Sequence, residues 1–150
     1  MSNRIVPAVQ NDWKGFWELD KRCFPAVDVF KPRQIRYILN SKTCKSFVIR
    51  SGNQIIASII GLIRGFRIPS GRIYKVAVDQ RLRGQGCASK LIRRMEGEFR
   101  KCGLRKSCAE VRMSNHASRN LFIKNGYRPV QTLPRYYADG EDGLKFWKSW

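Results

Sequence analysis

The sequence predicts a single α/β domain, an α+β sandwich built on one central, mixed sheet. Three observations predict it. Two apolar, β-branched runs in the front half, Ser46–Arg50 and Gln54–Ile63, are joined through Gly52-Asn53, a hairpin signal. The back half then runs strand, helix, strand, helix, strand, the order of a sheet with helices packed on it. The whole chain, 1–150, is 43% hydrophobic and has no internal repeat or Gly/Ser linker, which fits one domain with one core.

Taken in order, Ile5 to Val9 reads as a short first strand. Asn11-Asp12 then caps a helix carrying Trp13, Phe16, Trp17 and Phe24, which Pro25 ends. A second helix follows Pro32, with Ile35, Ile38 and Leu39 on its apolar face. The run Ile55–Ile60 is too uniformly apolar for an exposed face and is expected as a central strand. Pro69-Ser70-Gly71 reads as a turn, and Arg72–Asp79 as a strand containing Ile73, Val76 and Val78. Ala88, Leu91, Ile92, Met95 and Phe99 recur at helical spacing, and Gly103 stops that helix. In Lys106–Met113, alternation sets Cys108, Glu110 and Arg112 on one face and Ala109, Val111 and Met113 on the other. Ser114 or Asn115 caps a last helix bearing Ala117, Leu121 and Phe122, closed by Asn125-Gly126. Tyr127–Leu133 and Leu144–Trp150 are the final two strands.

Thirty Lys and Arg against eleven Asp and Glu give a formal charge of +19. The densest basic patches are Lys31–Arg36, Arg81–Arg94 and Arg100–Lys106. Such a field attracts polyanions, so either a solvated surface or work near a ribosome or RNA accounts for it. The RNP aromatic pattern, a GXXG loop and C₂H₂ zinc spacing are absent, which argues against a dedicated nucleic-acid fold. No run approaches the roughly 18 apolar residues of a membrane span, so no membrane partner is expected. The opening residues lack a signal-peptide pattern. Cys23, Cys44, Cys87, Cys102 and Cys108 make neither CxxC pairs nor a Cys/His ligand cluster, so no metal is expected. Reduced thiols in a cytoplasmic protein are the plain expectation.

The chemistry starts at Arg83-Gly84-Gln85-Gly86-Cys87-Ala88-Ser89, between the Val76-Ala77-Val78 strand and an amphipathic helix. Small residues let the backbone approach a ligand, and amides at a helix start face the positive end of its dipole. Together they make an anion site suited to a phosphate or pyrophosphate. The loop is neither a Walker A nor a GxGxxG fingerprint, and the plainer reading is an ordinary strand–helix connection. Cys87 reads as a small residue facing the helix packing.

Arg83-x-x-Gly86-x-Ala88 resembles the Q/R-x-x-G-x-G/A signature of the GNAT superfamily of N-acetyltransferases. The block Glu110-Val111-Arg112-Met113-Ser114-Asn115, with Ala117, Leu121, Phe122, Asn125, Gly126 and Tyr127, is similar to that of RimI-like and other N-terminal protein (Nα) acetyltransferases. Arg135-Tyr136-Tyr137-Ala138-Asp139-Gly140-Glu141-Asp142 is similar, in shortened form, to their tail. The likeness is specific from about Tyr74 to Asp142, and before that rests on element order. It implies the GNAT fold, a mostly antiparallel sheet with about four helices, and acetyl-CoA as co-substrate. Val76, Ala77 and Val78 would lie along the pantetheine, and Gly84 to Ser89 around the pyrophosphate, with Arg81 and Arg83 adding charge. Asn115, besides capping a helix, would reach the cofactor, and Phe122 would pack its ring against it.

The reaction needs a neutral amine. At pH 7 an α-amino group is about a tenth unprotonated, whereas a free lysine is deprotonated in only a few parts per ten thousand. A base must therefore take an ammonium proton, and the resemblance implies Glu110. The residues alone favour an ion pair of Glu110 with Arg112 or a lysine. Phe122 stands where the family commonly has the tyrosine that protonates the leaving thiolate, and it cannot donate a proton. Tyr74, Tyr127, Tyr136 and Tyr137 are the candidate substitutes. The resemblance sets Tyr136 and Tyr137 at the peptide entrance, so with Tyr74 and Lys75 they are the candidate acceptor-binding residues. Lys75 is read as repelling a cationic amine, pairing with Glu110 or a substrate carboxylate, or snorkelling to solvent.

The expected acceptor is a protein or peptide N-terminus. A small-molecule amine acetyltransferase and a basic ribosome- or RNA-associated protein with weak activity remain the alternatives.

Overall fold

The computed structural model describes residues 4–150. At the predicted hairpin, Gly52 takes φ +59°. Strand β2 (Cys44–Ser51) there folds back antiparallel onto β3 (Gln54–Arg64). The run from Ile55 to Ile60 is buried throughout, because helices cover both faces of β3. The other strands are β1 (Ile5–Pro7), β4 (Ser70–Val78), β5 (Lys106–Arg112), β6 (Arg128–Leu133) and β7 (Gly143–Ser149). They form one open seven-stranded sheet in the order β1-β2-β3-β4-β5-β7-β6, in which only β4 and β5 pair in parallel.

Helices α1 (Trp13–Cys23) and α2 (Pro32–Asn40) pack on one face, around Phe16, Leu19, Ile35 and Ile38. Helices α3 (Cys87–Lys101) and α4 (His116–Lys124) pack on the other. Leu91, Ile92, Met95 and Phe99, the apolar stripe of α3, are all fully buried. Gly61 and Gly71 let α3 press onto β3 and β4: a Cβ at either would run into Met95 or Phe99.

Two local expectations change. The Asp12 carboxylate does not cap α1; it accepts from the Val9 amide and takes a two-pronged salt bridge from Arg50. A short 3₁₀ turn at Gln10–Asp12 leads into the helix instead. Ser70 and Gly71, expected in a turn, open β4, since Gly71 pairs with both Ile63 and Ser107.

The feature that positions the site is a bulge in β4. Ile60 faces Lys75 and Gly61 faces Ile73, which leaves Tyr74 as an extra residue. A bulge bends its strand and raises the local twist. Here β4 pairs with β5 only at Gly71↔Ser107 and Arg72↔Cys108. Beyond these residues the two strands part, and from Tyr74 to Val78 the β5-facing edge of β4 has no partner strand among the described residues.

Candidate active site

The opening between β4 and β5 has the glycine loop at one end. Gly84 and Gly86 hold φ +79° and +78°, a region only glycine enters readily. Open space surrounds both, so it is the backbone conformation that calls for glycine there. Gly86 caps α3 without a side-chain hydrogen bond. The amides of Gly84, Gly86, Cys87, Ala88 and Ser89 find no acceptor among the described residues. They stand at the positive end of a 15-residue helix. The loop therefore fits a pyrophosphate on its own backbone chemistry.

The rest of the loop is braced. Cys87 is buried in the α3 core, Gln85 Nε2 donates to the Arg81 carbonyl, and Ser89 Oγ accepts from Asn125 at the end of α4. Arg81 is spent on Asp79 and Gln54, and Arg83 Nε turns back to the Val78 carbonyl. On the strand, Val76 and Val78 pack toward α3 and Ala77 toward α1 and α2.

Glu110 stands on β5 two residues past Cys108, where the strands separate. Its side chain is 6% exposed and its Oε2 accepts from Arg72 Nε at 2.8 Å. Its Oε1 has no hydrogen bond among the described residues, with Lys145 Nζ at 3.8 Å and Arg64 Nη2 at 4.0 Å. The ion pair expected with Arg112 is therefore replaced by one with Arg72, which lies beside Cys108 on the neighbouring strand. Cys108 is fully buried beside Glu110, and burial, then the Glu110 charge, pushes its thiol up. It stays protonated at neutral pH and offers no thiolate nucleophile.

Arg112 instead clamps two segments onto β5. It grips Asp28 with two hydrogen bonds of 2.7 and 2.8 Å, binds Asp139 and Glu141, and stacks on Tyr137. The α1–α2 connection and the β6–β7 loop are thus tied together over the sheet. Tyr136 and Tyr137 sit edge to face in that loop, with the Tyr136 hydroxyl 3.3 Å from Arg72. Burial pushes the Tyr137 phenol up to about 12.

Lys75 corrects its expectation. It neither meets Glu110 nor reaches solvent; its ammonium donates to Asp20 and the Asp28 carbonyl and lies over the Phe30 and Phe24 rings. Burial lowers its pKa in spite of Asp20. It anchors the α1–α2 connection. Tyr74 stacks against Phe30 and under the Arg72 guanidinium, its hydroxyl 3.4 Å from Gln34.

Across the sheet, Asn115 Oδ1 caps α4 at the Ser118 amide. Phe122 is buried against Tyr127 and Phe146. Tyr127 is no substitute acid: its hydroxyl is committed to Ser107 and burial drives its pKa up.

A family model described as the acetyltransferase (GNAT) family matches residues 13–127. The chain belongs to that family. It is 30% identical over 131 residues to an uncharacterized N-acetyltransferase of Methanocaldococcus jannaschii, across 87% of this chain and 68% of that one. The NatC complex bound to Gag peptide and CoA has a similar chain, with a TM-score of 0.86 at 22% identity, covering 100% of this chain and 99% of that one. The ribosomal-protein-S18-alanine N-acetyltransferase of Escherichia coli gives 0.82 at 19% identity, covering 99% and 94%. At such identities these two structures bear on the fold alone.

Family membership makes the protein an acetyltransferase with acetyl-coenzyme A as co-substrate. Sequence reasoning within this GNAT chain missed Arg64, Arg72 and Lys145. Period-2 alternation puts Lys145 opposite Glu110 once β7 is known to lie beside β5. Arg72 follows in the same way only once the parallel Arg72↔Cys108 register of β4 and β5 is known.

Proposed function

We propose that this acetyltransferase acts on the α-amino group of a protein or peptide N-terminus by direct attack, with Glu110 as general base. The observation that carries the reading is the state of Glu110. It lies where β4 and β5 part, one carboxylate oxygen pinned by Arg72 and the other without a hydrogen bond. A fixed carboxylate with one available oxygen is a geometry for accepting an ammonium proton. Bound at the loop and along Val76–Val78, acetyl-CoA supplies the activated thioester. Asn115, which caps α4, and Phe122, buried against Tyr127 and Phe146, are the residues of α4 that this reading brings to the cofactor. The Arg112 clamp and the tyrosine pair form a braced entrance suited to an extended peptide.

The block from Glu110 to Tyr127, similar to that of Nα-acetyltransferases, supports this acceptor class. A peptide carrying both a free N-terminus and an internal lysine, offered beside spermidine and an amino sugar, tests it. Fragmentation mass spectrometry should find the acetyl group on the α-nitrogen. Acetylation of the lysine or of the small amines alone would contradict the reading.

A second reading concerns where the protein works. Asp12, Asp20, Asp28, Asp79, Glu96, Glu110, Asp139 and Glu141, eight of the eleven acids, are paired within the fold. The outer cations therefore have few neighbouring acids, which favours a setting near a ribosome or RNA.

A further inference from the structure

Arg72, Lys75 and Arg112 all spend donors on acceptors inside the protein. Arg64 and Lys145, on the same face, do not. Their side chains are only 22% and 21% exposed, yet neither donates a hydrogen bond to any described residue. Each rests against an aromatic ring, Arg64 over Phe66 at 5.6 Å and Lys145 over Trp147 at 5.3 Å. Both hover near Glu110 Oε1, which leaves three cations around a single carboxylate. Part-buried cations with idle donors are costly unless an anion meets them. An acceptor bringing only an ammonium would meet net repulsion here.

We infer that Arg64 and Lys145 form an anion subsite that selects acceptors carrying a carboxylate beside the reacting amine. A peptide N-terminus with Asp or Glu among its first two residues has that chemistry. The inference rests on the amine-acetylation reading and names its substrate class. With the acceptor carboxylate on Arg64 and Lys145, Glu110 Oε1 is left to the ammonium. Charge pairing thus sets both which acceptor binds and which way its amine points.

The test uses the whole protein and peptides identical except for Glu against Gln, or Asp against Asn, at the first two residues. Free glutamate and glutamine are the small-molecule arms. Calorimetry reads binding and acetyl transfer reads turnover. Acidic peptides should bind about tenfold more tightly than their amides, with kcat/KM shifted alike. The preference should shrink as salt rises. Arg64→Gln and Lys145→Gln should each cut it, Lys145→Arg should keep it, and Arg93→Gln, at an exposed position on α3, should leave it in place. Equal affinity for acidic and amide peptides, or a preference that survives both glutamine substitutions, overturns the subsite. Acetylation of glutamate but of no peptide would remove the N-terminus reading and keep the subsite. Acetylated peptides with no acidic preference would do the reverse.

Discussion

Asp79, at the end of β4, joins the strand to the cofactor loop. Hydrogen bonds from the Arg81 side chain and amide, with Arg22 beside them, hold its carboxyl down to about 2 from 3.8. Because the folded value lies below the unfolded one, the stability it lends is present above about pH 4 and is lost as pH falls toward 2. Such a shift corresponds to about 2 kcal/mol. Asp79→Asn should lower stability by that amount at pH 7 in urea unfolding, and the gap to the native protein should close as pH approaches 2. Phe122 raises the other question at this scale. The Tyr127 hydroxyl donates its proton to Ser107 and is not the acid. A thiolate with pKa near 8.5 is a tolerable leaving group unaided. Steady-state kinetics of Phe122→Tyr should therefore show a several-fold rise in kcat, short of the roughly 10² that a fully positioned acid supplies.

At the scale of elements, the approach of α3 to the sheet sets where the loop amides lie. A Cβ at Gly71 would strike the rigid Phe99 ring, whereas one at Gly61 would strike the flexible Met95. Gly71→Ala should cost more stability than Gly61→Ala, about 2 to 3 kcal/mol against about 1 in thermal unfolding. It should also raise the KM for acetyl-CoA, since displacing α3 displaces its N-terminus. The Arg112 clamp belongs here too. Arg112→Leu leaves Asp28 without its two-pronged partner and Asp139 and Glu141 to solvent, and should lower the melting temperature. Hydrogen exchange should rise in both the α1–α2 connection and the β6–β7 loop.

These elements also show what was legible in advance. The stripe Leu91, Ile92, Met95 and Phe99 announced α3, and Gly52-Asn53 announced the hairpin, because both signals are local. Glu110 was singled out through its motif, and Asn115 was legible as a helix cap through its place at a strand end. The bulge at Tyr74 was not legible, since it exists only in the register between β3 and β4. Arg72 and Lys145 meet Glu110 across 38 and 35 positions of chain, through a strand order that no local pattern encodes. Lys75 looked like a site residue because its partner Asp20 lies 55 positions away on another element.

Across the whole molecule, the formal +19 sits mostly on the surface, since eight of the eleven acids are already paired with cations of the fold. Binding to a ribosomal RNA fragment should therefore weaken by about tenfold or more between roughly 50 and 200 mM salt, as released counterions require. Affinity indifferent to salt would detach the charge from any polyanion. No described helix is long and apolar enough to cross a membrane. The overall design is a splayed strand pair with an anion-binding loop at one end and a carboxylate among cations where the strands part. The most direct test is Glu110→Gln, with kcat and acetyl-CoA affinity measured on the same preparation. Turnover should fall by about 10² or more while acetyl-CoA binds as before. Undiminished turnover in Glu110→Gln would contradict the account.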